Sequence, residues 1–497
     1  MNNEENVVVI KSNNYSYSKI SPFRPSVKYP EYPWAELANE DNNVYEMVRE
    51  GFYLSGYDKN NYGTSSWNPL SKFIKAGDTV LIKPNMVMDE NHIKENGTEC
   101  LYTNPSVVAP VVDYVCIALK GKGKIVIGDA PMQECDFERL QQTSGYDRLL
   151  DYYRTKLLKS DIKIELQDFR GLISERVNGI NHSHEVEVDS VIVDLGENSE
   201  FYNESEKTYN DIRITNYDPS LLKKHHNAER NEYCINRNVL SADVIINMPK
   251  PKTHRKAGVT ISMKNLVGIN CRKEYLPHHT NGAKCEGGDE YLNKSICNRL
   301  LDSLLDRKNY LQQTKKDYRS AWLLNKICSA ISKISILVSK NQFHEGNWYG
   351  NDTISKTIVD LNKILFYADK TGKMQNRPQR TYLVVADMIV SGEKEGPVAP
   401  SPKNVGMIAI GEDPVCFDEA IGALMGAKLD YINTLKHARN PKGTFQITGE
   451  NSRAYFISND KTLNGKTVDS LKKEDFLYFI PTSGWKKAFR EKYKSEK

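Results

Sequence analysis

The 497-residue sequence lacks the cysteine spacing of an iron–sulfur or zinc-ribbon site. Its nine cysteines are scattered, and no two of them form a CxxC pair. Such pairs hold most small zinc and four-iron modules. No iron–sulfur cluster is therefore expected, and the thiols are interpreted as buried or chemically idle.

The sequence also has little that would direct it to a membrane or to nucleic acid. Residues 1–14 lack the basic start and apolar core of a signal peptide, and no apolar run reaches the roughly 18 residues of a membrane span. We therefore predict a cytoplasmic protein without a membrane span. The formal net charge is only +4, from 68 basic and 64 acidic residues, so no nucleic-acid partner is expected.

Motifs that would name a reaction are missing as well. The chain contains no P-loop, no GxGxxG after a strand, no GxSxG elbow and no HExxH helix. Whether the protein is an enzyme, and of which reaction class, is therefore not decided by motifs.

What is present is an alternation of short apolar strands and helices. An apolar strand is predicted at 78–82, a helix at 105–120 and a second strand at 124–127, which together form a βαβ unit. Further strands are predicted at 243–247 and 381–386. We predict an α/β fold with parallel or mixed sheets flanked by helices.

Composition divides the chain into several segments. Residues 1–70 are polar, aromatic and proline-rich, and 151–235 are charged with alternating apolar positions, which predicts a β-rich insertion. A long helical segment at 296–340 is a candidate surface for a protein partner or for self-association. The predicted organisation is an irregular arm at 1–70, a first α/β half at 71–272 with the insertion at about 151–235, a loop and helical insertion at 273–345, a second α/β half at 346–470, and a tail at 471–497 that is basic at its end.

Several predicted strands end on polar residues, and these are the first candidate site residues. Ligands of open parallel sheets bind beyond the carboxyl ends of the strands, so such residues are expected to converge. The residues predicted to bind substrate are Lys83, Asn85, Asn104, Asp129, Lys250, Lys252, Asn265, Arg272 and Glu395.

The densest segment is 247–270, NMPKPKTHRKAGVTISMKNLVGIN. Its lysines would suit a phosphate or carboxylate, and His254 would suit a general base because histidine titrates near neutrality. We predict His254, Lys264 and Asp387 as catalytic residues. A surface loop of exposed cations is the alternative interpretation.

A metal site is a further hypothesis. His278 and His279 are adjacent, and a divalent or transition metal is a candidate cofactor, although a histidine pair alone is also typical of an ordinary loop.

Ordered sequence blocks give a resemblance to a known family. VLIKPNMV, TNPSVVAPVVDYV, IVIGDAP, ADVIINMPKPKTH, TISMKNLVGI, DMIVSGEKEGP and IGEDPVCFDEAIGALMG follow one another between residues 80 and 426. In this order they resemble the domain-of-unknown-function 362 family. Many of its members resemble ferredoxins in an added four-iron module, which this sequence lacks.

The same family is distantly similar to the nickel-pincer lactate racemases. The matching residues here would be His254, Ala257, Gly258 and Lys264, which this resemblance would place in a cofactor or substrate cleft. Nickel itself is not inferred.

Three functions follow as expectations. The first is an enzyme that acts on a small anionic compound, phosphorylated or carboxylated, such as a sugar or nucleotide-sugar precursor, in a cleft at strand carboxyl ends. The second is an enzyme with a metal or organometallic cofactor, and the third is a non-catalytic binding or assembly protein.

Overall fold

The computed structural model describes residues 4–339 and 343–492. In chain order, its strands are β1 (Glu4–Lys11), β2 (Thr79–Pro84), β3 (Lys122–Asp129), β4 (Asp161–Asp168), β5 (Leu172–Val177), β6 (Ile180–Glu185), β7 (Ser190–Asp194), β8 (Ile212–Arg213), β9 (Glu232–Asn236), β10 (Val244–Met248), β11 (Lys252–His254), β12 (Gly258–Thr260), β13 (His279–Thr280), β14 (Thr381–Glu395), β15 (Ala399–Gly411) and β16 (Arg453–Ser458). Its α-helices are α1 (Asn43–Leu54), α2 (Pro105–Leu119), α3 (Phe137–Ser144), α4 (Tyr146–Lys156), α5 (Glu206–Asp211), α6 (Pro219–Leu222), α7 (Arg237–Ser241), α8 (Ser262–Asn265), α9 (Ile296–Gln313), α10 (Tyr318–Ser339), α11 (Thr353–Tyr367), α12 (Pro414–Met425) and α13 (Asn433–Arg439).

One mixed sheet organises the molecule, in the order β16-β1-β15-β14-β10-β2-β3-β4, with β11 and β12 attached beside β14. The strands from β14 to β4 are parallel neighbours, and β15 is antiparallel to both β14 and β1. The carboxyl ends of β14, β10, β2 and β3 therefore lie at the same edge. The predicted α/β fold with a mixed sheet is confirmed.

Both faces of this sheet are buried, which explains why its strands are continuous apolar runs. In β2, Leu81 packs into one apolar core, and its neighbours Val80 and Ile82 pack into the core on the other face. Helices α11 and α12 cover the first face, while α1 and α2 cover the second.

The boundaries of the predicted segments differ from the structure in two places. Residues 1–70 were expected to be an irregular arm, but β1 pairs with β15 and β16 inside the main sheet. The insertion was expected from about residue 151, but β4 is still the edge strand of the sheet, paired with β3. The edge strand β4 has a weak apolar pattern, and the short apolar run of β1 pairs with strands that lie about 400 or more residues later in the chain.

Beyond β4 lie the inserted elements. The hairpin β5–β6, the pair β7–β9 and the two-residue pair β8–β13 are each separate from the main sheet. Helices α9 and α10 form a hairpin in the region predicted to be helical, and the side chain of Gln313 reaches Ser183 of β6. Of these elements, β5 and the residues that follow β8 contribute to a cavity at the carboxyl edge of the main sheet.

Part of the predicted tail is packed against the rest of the fold. Residues Ser483–Ala488 form a 3₁₀ turn, and the Trp485 indole is buried and donates to the Arg255 carbonyl at 2.7 Å. Residues 493–497 lie outside the described range. The tail segment before them thus packs against the loop that follows β11.

Within the described ranges, no helix combines the length and the apolar character needed to cross a bilayer.

Candidate functional site

A cavity of about 230 Å³ lies between the carboxyl edge of the main sheet and the inserted elements. The sheet side contributes residues after β2, β3 and β11, together with α8. The inserted side contributes residues between β3 and β5, between β8 and α6, and before β13. Its polar and charged lining residues are Asn85, Asp129, Gln133, Glu134, Arg170, Thr215, Asn216, His254, Arg255, Lys256, Thr260, Lys264, Asn265, Asn270, Lys273 and His278.

Two lysines at the strand ends are neutralised by carboxylates. Lys83 Nζ donates to Asp129 Oδ1 at 2.6 Å, and Lys250 Nζ donates to Asp387 Oδ2 at 2.7 Å. All four side chains are buried. Burial lowers the pKa of both lysines, and the facing carboxylate opposes that shift in each case. These pairs are part of the fold, and breaking a buried pair leaves an uncompensated charge.

Asp387 is tied into a wider buried network. Its Oδ1 accepts from the Tyr17 hydroxyl at 2.7 Å, and its Oδ2 also accepts from the backbone N–H of Asn104 at 2.9 Å. Asn104 in turn caps α2 through its side chain. Asp387 does not line the cavity, so the geometry gives it a structural position and no route to a ligand there.

Lys252 does not line the cavity, but it contacts Asn85, which does. Its buried ammonium donates to Asn85 Oδ1 at 2.6 Å and to the Leu101 carbonyl, and no carboxylate faces it. Burial lowers its pKa to about 7. Because Lys252 occupies the amide oxygen, the Asn85 amide N–H₂ is left to face the cavity as a donor.

Lys264 differs from the strand-end lysines because it has no carboxylate partner. Across the described residues, its ammonium makes no hydrogen bond or ion pair. Burial and the nearby Lys83 lower its pKa to about 8, while Asp129 raises it. A half-buried ammonium at a cavity wall without a carboxylate partner is suited to bind an anion.

The turn that carries Lys264 is fixed by three side chains. Asp418 of α12 accepts from the backbone N–H groups of Ser262 and Met263, at 2.8 and 3.1 Å. Asn265 donates to Asn247 Oδ1 at 2.7 Å, and its own Oδ1 is buried without a protein partner at the cavity wall. Lys264 is thus presented on a rigid support.

Three more cations surround the same space. Arg255 and Lys273 have no carboxylate within ion-pair distance in the described chain, and Lys256 donates only to the Glu345 carbonyl. Burial lowers the pKa of Lys273, and it lowers that of Lys256 to about 8. The lining carboxylates balance them only in part, since Asp129 is held by Lys83 and Glu134, whose charge raises the pKa of Lys273, is a single acid against several cations. The cavity is therefore strongly electropositive.

The backbone fixes the protonation of His254. Its Nδ1 accepts from the backbone N–H groups of Lys256 and Ala257 at 3.1 and 3.2 Å. Burial and the positive charge of Lys264 lower its pKa well below the usual value, so the ring is neutral and its proton is on Nε2. His254 therefore offers a hydrogen-bond donor to the cavity, and this geometry does not suit the predicted general base.

His278 has the opposite tautomer. Its Nδ1 lies 2.6 Å from the Leu276 carbonyl, which only an N–H can satisfy, so Nε2 carries the lone pair. Burial and the charges of Lys256 and Lys273 lower its pKa well below the usual value. The cavity thus has one neutral imidazole that donates and one that accepts.

The two adjacent histidines do not form a joint ligand set. His278 lines the cavity, whereas His279 lies in the β8–β13 pair, away from it. Within residues 4–339 and 343–492, no group of three or more histidine, cysteine or acidic side chains is placed to hold a metal ion.

The predicted site residues therefore separate into two groups. Those that line the cavity are Asn85, Asp129, His254, Lys264, Asn265 and His278. Those that do not are Lys83, Asn104, Lys250, Lys252, Arg272, His279, Asp387 and Glu395. Arg272 instead lies 3.4 Å from Glu185, and the exposed Glu395 accepts from the Ser483 backbone.

Sequence reasoning missed Lys273 and Arg255 as site residues. Lys273 directly follows Arg272 in the chain, and alternate side chains of a turn point in different directions, which spacing alone does not resolve. Arg255 was seen only as one member of the basic loop. The signal available in the sequence was that each of them lies within or next to a segment rich in lysine, arginine and histidine.

Comparison with known protein families gives the family of this chain. The family model described as domain of unknown function (DUF362) matches residues 80–195 and 196–422. The chain belongs to this family. Those ranges include both the strand ends and the cavity-lining inserted elements.

A curated relative is the thylakoid-associated protein sll1697 of Synechocystis, strain PCC 6803. It is 25% identical over 199 residues, which is 40% of this chain and 41% of the relative. The match thus spans less than half the length of that protein.

Proposed function

We propose that this DUF362 protein is an enzyme that acts on a small anionic compound, phosphorylated or carboxylated, in the cavity at the carboxyl edge of its sheet. The observation that carries the proposal is Lys264, a half-buried ammonium that lines the cavity and has no carboxylate within ion-pair distance in the described chain. A bound anion would supply the missing countercharge.

The size of the cavity favours a small ligand. A volume of about 230 Å³ is below the roughly 300–1,000 Å³ of pockets that hold drug-sized molecules. This supports a phosphorylated or carboxylated sugar-sized compound over a complete nucleotide sugar.

Two histidines would handle the proton. His278 Nε2 would accept a hydrogen bond or a proton from a ligand hydroxyl, and His254 Nε2–H would donate to a ligand oxygen. Lys264, Lys273 and the Asn85 amide would hold the anionic group. In this assignment His278 takes the proton-transfer role predicted for Asp387.

Native mass spectrometry on untagged protein tests the binding part of the proposal. We expect a retained anion of metabolite size in the wild type and in Lys159→Met, which changes an exposed lysine, and its loss in Lys264→Met. Equal retention in all three proteins would contradict the proposal, and so would failure of phosphates and carboxylates to raise the melting temperature of protein isolated without a ligand.

Turnover tests the catalytic part. His278→Gln keeps a side chain of similar size but removes the imidazole, so it should bind the identified compound and convert it roughly 10²- to 10⁴-fold more slowly. Product formation is measured by mass spectrometry. Undiminished turnover in this variant would remove His278 from the mechanism.

A further inference from the structure

Helix α10 carries a concentration of exposed apolar side chains that the fold does not use. Of the 21 large apolar residues exposed in the described chain, six lie on this helix: Trp322, Leu323, Ile327, Ile334, Ile336 and Val338. Large exposed apolar patches mark interaction sites, whereas single exposed apolar residues are ordinary.

The buried side of α10 is made of small residues. Ala321, Cys328 and Ser335 recur at seven-residue spacing and are buried. Ser335 donates to Asn298, near the start of α9, so the two helices are antiparallel. The bulky apolar side chains are thus on the outside, and packing against α9 does not explain them.

The neighbouring helix also carries exposed apolar residues. Ile296 and Leu300 of α9 are 86% and 52% exposed, and they are one turn apart. Because the helices are antiparallel, these residues lie at the same end of the hairpin as Ile334 and Val338.

Charge on α10 has one sign only. Its sequence, YRSAWLLNKICSAISKISILVS, contains no aspartate or glutamate. Arg319, Lys326 and Lys333 recur every seven residues, which places them on one stripe. At 100° per residue, this stripe borders the arc formed by Leu323, Ile327 and Ile334.

An apolar arc bordered by cations is the arrangement of helices that lie in a membrane interface. The lysine stems would lie along the apolar surface while their ammonium groups meet lipid phosphates. Trp322, at the edge of the stripe, has the amphipathic ring that favours this depth. Two copies of this cationic face would repel each other, which argues against self-association.

From these observations we infer that α10 docks the protein onto a bilayer surface containing anionic lipids. The helix lies in the plane of the surface and does not cross it, in agreement with the lack of a spanning helix in the described chain. Its 22 residues give a contact about 33 Å long. This surface is separate from the cavity and does not depend on the proposed function.

Co-sedimentation of the full chain with vesicles tests the inference. We expect binding to phosphatidylcholine vesicles that contain phosphatidylglycerol, weaker binding at high salt, and little binding to phosphatidylcholine alone. Lys326→Gln with Lys333→Gln should weaken binding roughly tenfold or more, since each cation near the surface adds to the attraction. Ile327→Asp with Ile334→Asp should abolish it.

Leu158→Asp is the matched control, because Leu158 is 80% exposed but lies at the end of α4. It should bind like the wild type. Lipids with brominated chains should quench part of the tryptophan fluorescence, and that part should be missing in Trp322→Phe. Circular dichroism of each variant verifies that the fold is retained.

Three outcomes would overturn the inference. One is equal binding to vesicles with and without phosphatidylglycerol, and another is no binding to either. The third is a concentration-dependent dimer that Ile327→Asp dissociates, because the face would then belong to a second copy of the chain.

Discussion

Two sets of lysines lie within one region of this molecule, and they differ in whether a carboxylate pairs with them. At the strand ends, Lys83 and Lys250 each face a buried carboxylate. At the cavity wall, the half-buried Lys264 and Lys273 have no carboxylate within ion-pair distance in the described chain. The first set is paired within the fold, whereas the second is left to attract a bound anion. The number of lysines in a sequence segment therefore does not distinguish structural lysines from candidate ligand-binding ones. The positions of the carboxylates in the fold do.

The largest expected effect is on stability, from breaking a pair of the first set. Lys250→Met would leave Asp387 buried without its cation and should lower the free energy of unfolding by about 3 kcal/mol or more. Denaturant unfolding measures it. Adding Asp387→Asn should restore part of the loss, and a single variant as stable as the wild type would contradict the pairing.

Lys264→Met should affect ligand binding and should not lower stability. It removes a half-buried charge that is repelled by the nearby Lys83, so the ligand-free protein should be at least as stable as the wild type, while affinity for an anion should fall roughly tenfold to a hundredfold. Calorimetric titration with inorganic phosphate, compared with Lys159→Met, measures the affinity. A loss of stability with unchanged affinity would place Lys264 in the first set.

The pH dependence of anion binding should also distinguish the cavity-wall lysines from the paired strand-end lysines. The protonated form of Lys264 binds the anion, and its pKa of about 8 means that this form is present below that pH and lost above it. Affinity should therefore hold to about pH 8 and then fall by roughly tenfold per unit as the proton leaves. Because a bound anion raises the pKa of Lys264, the fall should end above that raised value. A flat profile to pH 10 would contradict the assignment.

The smallest expected effect concerns the amide that Lys252 orients. Asn85→Ala should weaken anion binding about fivefold through loss of one neutral hydrogen bond. Asn96→Ala, which removes a partly buried amide that donates to the Pro400 carbonyl, is the matched control and should not change affinity. Equal effects of the two changes would mean that Asn85 acts through stability alone.

The fold was largely predictable, because its strands are buried on both faces and read as apolar runs. The helix expected at 105–120 is α2, and the strand expected at 243–247 is β10. Strands β1 and β4 were not predicted: β4 is an edge strand with charged positions, whereas the apolar run of β1 is short and stands alone in a polar segment far in sequence from its partners β15 and β16.

The site was predictable only in part. Convergence at the strand ends follows from parallel topology, and it brought Asn85, Asp129 and Lys264 to one cavity. Which lysine meets a carboxylate depends on pairs such as Lys250 and Asp387, 137 residues apart in the chain. The histidine tautomers depend on backbone partners, and no residue pattern shows those.

Crystals soaked in selenate, a tetrahedral anion that is located by its anomalous scattering, test the central claim most directly. The account predicts a selenate in the cavity within hydrogen-bond distance of Lys264 Nζ in the wild type, and none there in Lys264→Met. An empty wild-type cavity, with selenate bound only on the outer surface, would contradict it.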